Sequence, residues 1–447
     1  MLSCEYLVIG AGQTGLTICQ PLVKTGKTVI LVDQNQLGGS FLFTKEFPKF
    51  LLREEATKFA HSLEHFKNST ETFPILLKHR KSIHSLISQA IQQKTQEIKS
   101  FFQGFSNFRF LRGVAEFTSK SLVEVNSESE KNIVNFKQCV LAVGKDQLVK
   151  PDIAGIETID FLYQENCFLF QLVPKRIAFT ELTLETLEVA AIYADLGVKV
   201  DILDKHKNVQ EALPNLDQSV INFFLKKLVT QAVDLTFNFD TKEFKYNRKK
   251  ELVLKDKEGK KLTFPQVYLS IPTAFSGKSL GLNKIDIKAD KHGIVTDPLG
   301  KTVHAHIYAL GDCSNQTTPE TKAFMIQEYI KNQTDRQHLM QILVPKKVGL
   351  AGQYYFLDSR FPICSIGLSQ HIATQKYGNS VKTLIIRDNY TDSFVKVVYR
   401  DITGQILGAS SAGRLCPYTK DLLIEAIQNQ WRYQDLVFKL EVYTRLS

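Results

Sequence analysis

Apolar runs along the 447-residue chain fall into a strand–helix–strand order that occurs twice. The first unit runs from Tyr6–Ile9 through a helix to about Thr25 and into Thr28–Val32. The second runs from Arg176–Phe179 through a helix to about Leu196 and into Lys199–Leu203. Each closes on a carboxylate, Asp33 and Asp204. Between them the pattern predicts a long helix from about Lys78 to Phe102, alternating strands near Phe108–Phe117 and Leu122–Val125, and a short buried strand at Cys139–Val143. Pro151 marks a crossover. Leu252–Leu254 to Val267–Ile271 predicts a hairpin and a return strand, and Ile307–Leu310 another short strand. Pro345 opens a third region, with strands at Tyr354–Phe356, Lys382–Ile386 and Phe394–Arg400, a turn at Thr403-Gly404 and a helix at Thr419–Gln430.

The turn after the first strand reads Gly10-Ala11-Gly12-Gln13-Thr14-Gly15, a G-x-G-x-x-G pattern. It follows a strand, opens a helix, and has Asp33 at the end of the next strand, the context in which the pattern binds a dinucleotide. The first glycine permits the tight turn, the second lets the backbone approach a pyrophosphate, and the third lets helix pack on sheet. The helix N-terminus offers N–H groups to phosphate, and Asp33 accepts from ribose hydroxyls.

Composition narrows the picture. Hydrophobic residues make up 43% and charged residues 23%, as in a globular protein, and the length suits about three domains. The seven cysteines show no C-x-x-C or C-x4-C spacing, which suits a reducing, cytoplasmic compartment. The apolar stretch Tyr6–Ile9 is too short for a signal sequence, and no run of about 20 apolar residues predicts a membrane span. The net charge of +10 is spread over clusters such as Lys78–Lys81, Arg248–Lys250 and Lys260–Lys261. Acidic residues interleave with them and no nucleic-acid motif accompanies them, so solvated faces are the reading preferred over nucleic acid or a membrane surface.

Further downstream, Tyr308-Ala309-Leu310-Gly311-Asp312 and Cys139-Val140-Leu141-Ala142-Val143-Gly144 stand in the order and spacing of two-domain flavoproteins. With the first glycine cluster they resemble the class I pyridine nucleotide-disulfide oxidoreductase family, which includes dihydrolipoamide dehydrogenase, glutathione reductase and mercuric reductase. Gly38-Gly39-Ser40 resembles that family's G-G-T, and Ser365-Ile366-Gly367-Leu368, Phe394–Tyr399 and Thr403–Ala409 resemble its dimerisation domain. The resemblance implies an α/β fold with two Rossmann-like domains. The FAD domain would span 1–150 and 275–344, interrupted by a NAD-like domain at 151–274, and an α/β interface domain would span 345–447. It also implies FAD as cofactor and a homodimer. The implied FAD-binding residues are Gly10, Gly12, Gln13, Thr14, Gly15, Asp33, Gly38, Gly39, Ser40, Lys49, Ala142, Gly144, Gly311 and Asp312.

The chain departs from the family where its chemistry lies. Phe41 stands at the first redox cysteine, and Glu46 or Lys45 at the second, depending on where a one-residue deletion falls. No cysteine lies between Cys19 and Cys139, and disulfide exchange needs a thiolate. In the family's V-V-I-G-G-G-x-I-G-L-E pattern the four glycines are replaced by Glu181, Leu182, Thr183 and Thr186. Glu181 adds charge where phosphate would sit. Two like charges about 4 Å apart at an effective dielectric of about 20 repel by about 4 kcal/mol. Tyr443 stands at the histidine of the tail's acid–base pair, and the glutamate partner is missing. Lys49 and Glu188 match a lysine–glutamate pair of the family, or are two unrelated surface charges. The pairs His61/His65 and His304/His306 lack a third ligand, so no metal is expected. No G-x-S-x-G nucleophile motif occurs.

Two function classes follow. One is a FAD-stabilised dimeric scaffold, a pseudoenzyme that binds an unidentified protein partner. The other is a flavoprotein oxidoreductase that passes electrons from FAD to a non-disulfide acceptor. The joint loss of dithiol, glycines and tail pair favours the first.

Overall fold

The computed structural model describes residues 1–66, 72–145, 147–169, 173–231, 233–290, 292–316, 325–326, 328–330, 332–333, 354–388 and 391–446, with backbone only for 66, 72–81 and 441–446. The chain divides into two compact units. The first comprises Met1–Leu51, His84–Pro151 and Ile271–Lys347, and the second Leu52–Ile83, Asp152–Ser270 and Val348–Ser447. Residues 52–83 thus fall with the second unit, and the proposed boundaries at 344 and 345 lie outside the described residues.

In the first unit, β1 (Leu2–Ile9) leads into α1 (Gln13–Lys24) and β2 (Val29–Asp33). Then come α2 (Gly39–Phe43), α3 (Glu46–Phe66), which enters the second unit, and α4 (Thr72–Gln103), which returns from it. The strands β3 (Phe108–Arg112), β4 (Val114–Ser119), β5 (Leu122–Asn126) and β6 (Lys131–Leu141) follow. The parallel part of the sheet is ordered β3-β2-β1-β6, with the short strand Ile307–Ala309 parallel to β6 on its other side. β4 and β5 form an antiparallel ribbon on the first half of β6. β1 has Leu7 and Val8 both fully buried, as a parallel strand covered on both faces requires. Leu7 joins one core with Phe117 and Val134, and Val8 joins the other with Ile18 of α1 and Met325.

The second unit repeats the motif. β7 (Arg176–Phe179), α5 (Leu184–Asp195) and β8 (Lys199–Leu203) precede α6 (Gln218–Val229) and β9 (Val233–Thr236). With the return strand β10 (Val267–Tyr268) the parallel order is β9-β8-β7-β10. Thr241–Tyr246, Leu252–Asp256 and Lys261–Phe264 form a three-stranded antiparallel sheet, and a larger antiparallel sheet follows: β11 (Tyr354–Leu357), β12 (Ile363–Gly367), β13 (Val381–Arg387), β14 (Phe394–Arg400) and β15 (Ile406–Ala412), in the order β11-β12-β15-β14-β13. The helix Gln370–Tyr377 lies between β12 and β13, and α7 (Cys416–Gln428) and α8 (Tyr433–Leu446) follow the last strand.

The sequence pattern placed Arg176–Phe179, Lys199–Leu203 and Phe394–Arg400 at their observed bounds. Elsewhere packing moved the edges. Phe108–Phe117 splits at Gly113, whose N–H donates to the Asp33 carbonyl. The buried run at Cys139 is the last part of an 11-residue strand whose first half is half-exposed ribbon. α7 begins at Cys416 because Pro417 sits in its first turn, where a missing N–H costs nothing. α3 and α8, both mixed in pattern, were not predicted.

One buried ion pair ties the parallel and antiparallel sheets of the second unit together. Lys396 Nζ on β14 lies 3.0 Å from both carboxylate oxygens of Asp217 and donates to Ser219 Oγ at 3.0 Å. Asp217 caps α6 through Ser219 N–H and also accepts from Gln370 N–H. Burial works to raise its pKa, but Lys396 and these N–H groups hold the carboxyl below its ordinary range. A depressed carboxyl stabilises the fold above its unfolded value of about 3.9 and stops doing so as pH falls through the folded one. Asp217→Asn is expected to cost about 3–5 kcal/mol at neutral pH. It is also expected to flatten the stability lost below about pH 4, both read from urea midpoints across pH.

Candidate functional site

In the first unit the strand–helix turn is built by contact. Gly10 has φ 108°, and a Cβ there would lie 2.3 Å from the Ala142 carbonyl oxygen. Only glycine tolerates both demands. A Cβ on Gly15 would lie 1.9 Å from the Gly10 oxygen, so α1 starts as close to the turn as backbone allows. Gly12, by contrast, caps α1 with no side-chain bond, and a Cβ there would meet nothing within 4 Å. Open space therefore lies in front of the helix N-terminus, which carries about half a positive charge.

Asp33 holds this turn in place. Its Oδ2 accepts from Ala11 N–H at 2.7 Å and its Oδ1 from Asn35 N–H at 2.8 Å. A carboxylate has about four lone-pair sites, which leaves capacity for ribose hydroxyls. Gly38 N–H donates to the Ala11 carbonyl, and Gly39 packs against the Gly12 backbone. Ala142 N–H donates to the Ile9 carbonyl, and Gly311 packs against Thr14. Gly10, Gly12, Thr14, Gly15, Asp33, Gly38, Gly39, Ala142 and Gly311 are thus brought together by direct contacts. Gln13, Ser40 and Asp312 are exposed beside them, and Gly144 follows Ala142 with open space around its Cα.

The positions that would carry disulfide chemistry look different. Phe41 is half-buried on α2. Glu46, half-exposed at the start of α3, pairs with Lys49 Nζ at 2.9 Å. Tyr443 lies on α8 in the second unit, and its side chain is not described. The first unit's cysteines are all buried. Burial pushes all four thiols up, those of Cys4 and Cys313 to about 12. Cys313 donates to the Leu141 and Leu310 carbonyls.

The second strand–helix turn has the same frame and a different front. Leu182 N–H donates to Asp204 Oδ2 at 2.7 Å, matching Ala11 and Asp33. Asp204 is 1% exposed, and its Oδ1 takes both the His206 N–H and His206 Nδ1 at 2.7 Å each. The sequence shows only that an acid, Asp204, closes the second strand–helix–strand unit; here it is sealed and already engaged. Thr183 stands at the place of Gly12 and caps α5 reciprocally. Its Oγ1 accepts from Thr186 N–H at 3.1 Å, and Thr186 Oγ1 accepts from Thr183 N–H at 2.7 Å. Leu182 is buried, and Tyr268 O–H donates to Glu185 across the strand ends. Sequence reasoning registered the lost glycines but not this closure. The Thr-x-x-Thr spacing before an apolar helix was its available signal.

Backbone carbonyls engage one of the histidine pairs, His304 and His306. His304 Nε2 and His306 Nε2 are tied to the carbonyls of Ile285 and Lys120. Among the described residues no group of three or more His, Cys, Asp or Glu side chains could hold a metal ion. No helix among them is long and apolar enough to cross a membrane.

A βαβ unit with an open glycine turn and a strand-end acid defines a dinucleotide-binding protein. Residues 4–330 match the family model for pyridine nucleotide-disulphide oxidoreductases, and the chain belongs to that family, whose members are FAD-binding flavoproteins. Dihydrolipoyl dehydrogenase of Buchnera aphidicola subsp. Baizongia pistaciae is 27% identical over 70% of this chain. The chain spans 66% of that relative's length, and 65% of a second dihydrolipoyl dehydrogenase from Buchnera aphidicola subsp. Schizaphis graminum. Mercuric reductase of Shigella flexneri is 21% identical over 98% of this chain and 78% of its own length. The fold is that of the HOCl-induced flavoprotein disulfide reductase RclA from Escherichia coli. Its TM-score is 0.78 at 16% identity, covering 96% of this chain and 94% of that one. The first unit's residues fit the nucleotide part of FAD: an open helix N-terminus for pyrophosphate and an acid with spare capacity for ribose.

The geometry separates the two close glycines by one test. Gly12→Ser adds a favoured cap into open space and is expected to leave the thermal midpoint of the flavin-free protein unchanged or slightly higher. Gly15→Ser drives Cβ into the Gly10 carbonyl and is expected to cost more than about 3 kcal/mol or prevent folding, as read by thermal melts.

Proposed function

We propose that the chain holds FAD in its first unit but has lost conventional NAD(P)H-dependent disulfide reduction. It would act as a flavin-bound homodimeric scaffold for a protein partner in the cytoplasm. The observation that carries this is the contrast between two equivalent helix N-termini. Gly12 leaves α1 open, whereas Thr183 and Thr186 close α5 on itself. A phosphate at α5 would have to displace the reciprocal cap and face Glu181 and Glu185.

The residues at the redox positions support the same reading. FAD, when bound, supplies a two-electron carrier, and the family's disulfide exchange then needs a thiolate close by. Phe41 has no ionisable group, and Glu46 is a half-exposed carboxylate paired with Lys49. Gly10–Gly15, Asp33, Gly38, Gly39, Ser40, Ala142, Gly144, Gly311 and Asp312 would hold the cofactor. The dimer would form through the antiparallel sheet and its helices, and sedimentation velocity on the full chain tests that.

The decisive experiment is an anaerobic visible spectrum of the purified protein. Yellow protein that NADH and NADPH leave unbleached, and dithionite bleaches, is expected. Bleaching by either nicotinamide would overturn the scaffold reading in favour of electron transfer to a non-disulfide acceptor, and colourless protein would remove FAD. Gly12→Ser makes the first turn resemble the second, so folded but flavin-poor protein is expected after gel filtration.

A further inference from the structure

Half of the chain's excess positive charge sits on one small sheet of the second unit. Residues 241–261 hold nine lysines and arginines against four acids, while the whole chain carries a net charge of +10. They form the antiparallel strands Thr241–Tyr246, Leu252–Asp256 and Lys261–Phe264. Alternation along each strand divides the side chains between two faces. Phe244, Leu252, Leu254 and Phe264 are buried on the inner face. The register gathers Glu243, Lys245, Val253, Lys255, Lys261 and Thr263 on the outer face.

Charge on that outer face is out of balance. Glu243 is the one carboxylate among the six residues, and two lysines share it. Lys245 pairs with it, and Lys255 Nζ lies 3.4 Å from its second oxygen. Lys261 stands directly opposite Lys255. Like charges so placed oppose strand pairing, and among the described residues no carboxylate pairs with Lys261. Asp256 brings no relief, because it is 3% exposed and accepts from the Glu258 and Lys260 N–H groups of the next turn. Arg248, Lys249 and Lys250 add three exposed cations at the hairpin tip.

The same face selects among anionic partners. A sheet that binds single-stranded nucleic acid stacks the bases on aromatic side chains. Here Phe244 and Phe264 point inward, and Tyr246 shares their face with its hydroxyl accepting from Asp160 N–H. The outer face offers lysines, which lack the planar fork that suits phosphate, set beside Val253 and Thr263. Side-chain carboxylates flanked by apolar groups match that surface.

We propose that the outer face of this sheet docks an acidic segment of a protein partner, whose carboxylates pair with Lys245, Lys255 and Lys261. That the occupant is a protein rests on the scaffold reading, whereas the face itself depends on neither flavin nor nicotinamide. The partner's carboxylates relieve the opposition of Lys255 and Lys261, which the chain cannot do alone. Charge steers the encounter, so binding weakens as salt rises.

The probe is a fluorescein-labelled peptide of about twelve glutamates, titrated with the full chain in about 0.15 M salt and followed by anisotropy. Saturable binding is expected. The combined change Lys245→Gln, Lys255→Gln and Lys261→Gln is expected to weaken it at least about ten-fold, with the thermal midpoint and visible spectrum unchanged. Lys120→Gln, Lys137→Gln and Lys288→Gln remove the same charge from exposed positions of the first unit and are expected to change binding less than about two-fold. If the first variant does not fold, Arg248→Gln with Lys249→Gln at the tip gives the reading, with weakening of about three-fold or more expected. No binding, equal weakening by the first-unit variant, or a labelled uridine oligonucleotide of the same length that binds more tightly and loses its binding with the same three lysines would overturn the proposal. The anaerobic spectrum that tests the scaffold reading involves no peptide, so either reading can fail alone.

Discussion

The grip of a strand-end carboxylate on the turn that precedes its crossover helix sets both parallel folds. Asp33 takes Ala11 N–H, and Asp204 takes Leu182 N–H, each at 2.7 Å. That bond fixes where the helix begins relative to the second strand, and so where its positive end points. In the first unit the order of β3, β2, β1 and β6 and the approach of Gly10 to Ala142 all assume that turn. The same frame can present an anion site or bury one, and what decides is the residue at the cap.

At the cap the two folds part. A glycine that leaves a helix N-terminus open is useful when phosphate satisfies the N–H groups. Without phosphate those groups need other partners, and a threonine cap contributes about 1 kcal/mol that a bare N-terminus lacks. On the proposed reading, in which nucleotide does not constrain this turn, Thr183, Thr186 and a buried Leu182 are the stabilising choices. Asp204 then turns from the ligand toward His206. The second fold keeps a structural task, because α6 begins at Asp217, the carboxylate that anchors Lys396 of the antiparallel sheet. On the proposed reading a domain without a nucleotide would still be kept for that anchor.

How far the sequence could be read follows from the range of the forces involved. Parallel strands at Arg176–Phe179 and Lys199–Leu203 were legible because burial on both faces leaves an apolar run with sharp ends. The ribbon strands and α3 were blurred, since one face meets solvent and the pattern depends on partners far along the chain. At the site, Gly10, Gly12, Gly15 and Asp33 were legible as a local motif. The engagement of Asp204 by His206 was not, because it depends on the rotamer of that side chain. The Lys396–Asp217 pair, 179 residues apart, left no local trace.

The cysteines show why a missing pair cannot be made good by those that remain in the first unit. A thiol must ionise to attack a disulfide, and ionisation costs more as the sulfur loses water. Cys4, Cys19, Cys139 and Cys313 all stand in the cores that hold β1 and β6, so the packing that builds the flavin fold also silences them. Cys313 lies one residue from Asp312 and still points its S–H at the Leu141 and Leu310 carbonyls as a hydrogen-bond donor. Making it reactive would mean opening the contact between β6 and the strand Ile307–Ala309, on which Gly311 depends. Flavin-side thiol chemistry in this fold therefore has to come from a segment outside the core, and in this chain the segment after Gly39 offers Phe41 and Glu46 in its place.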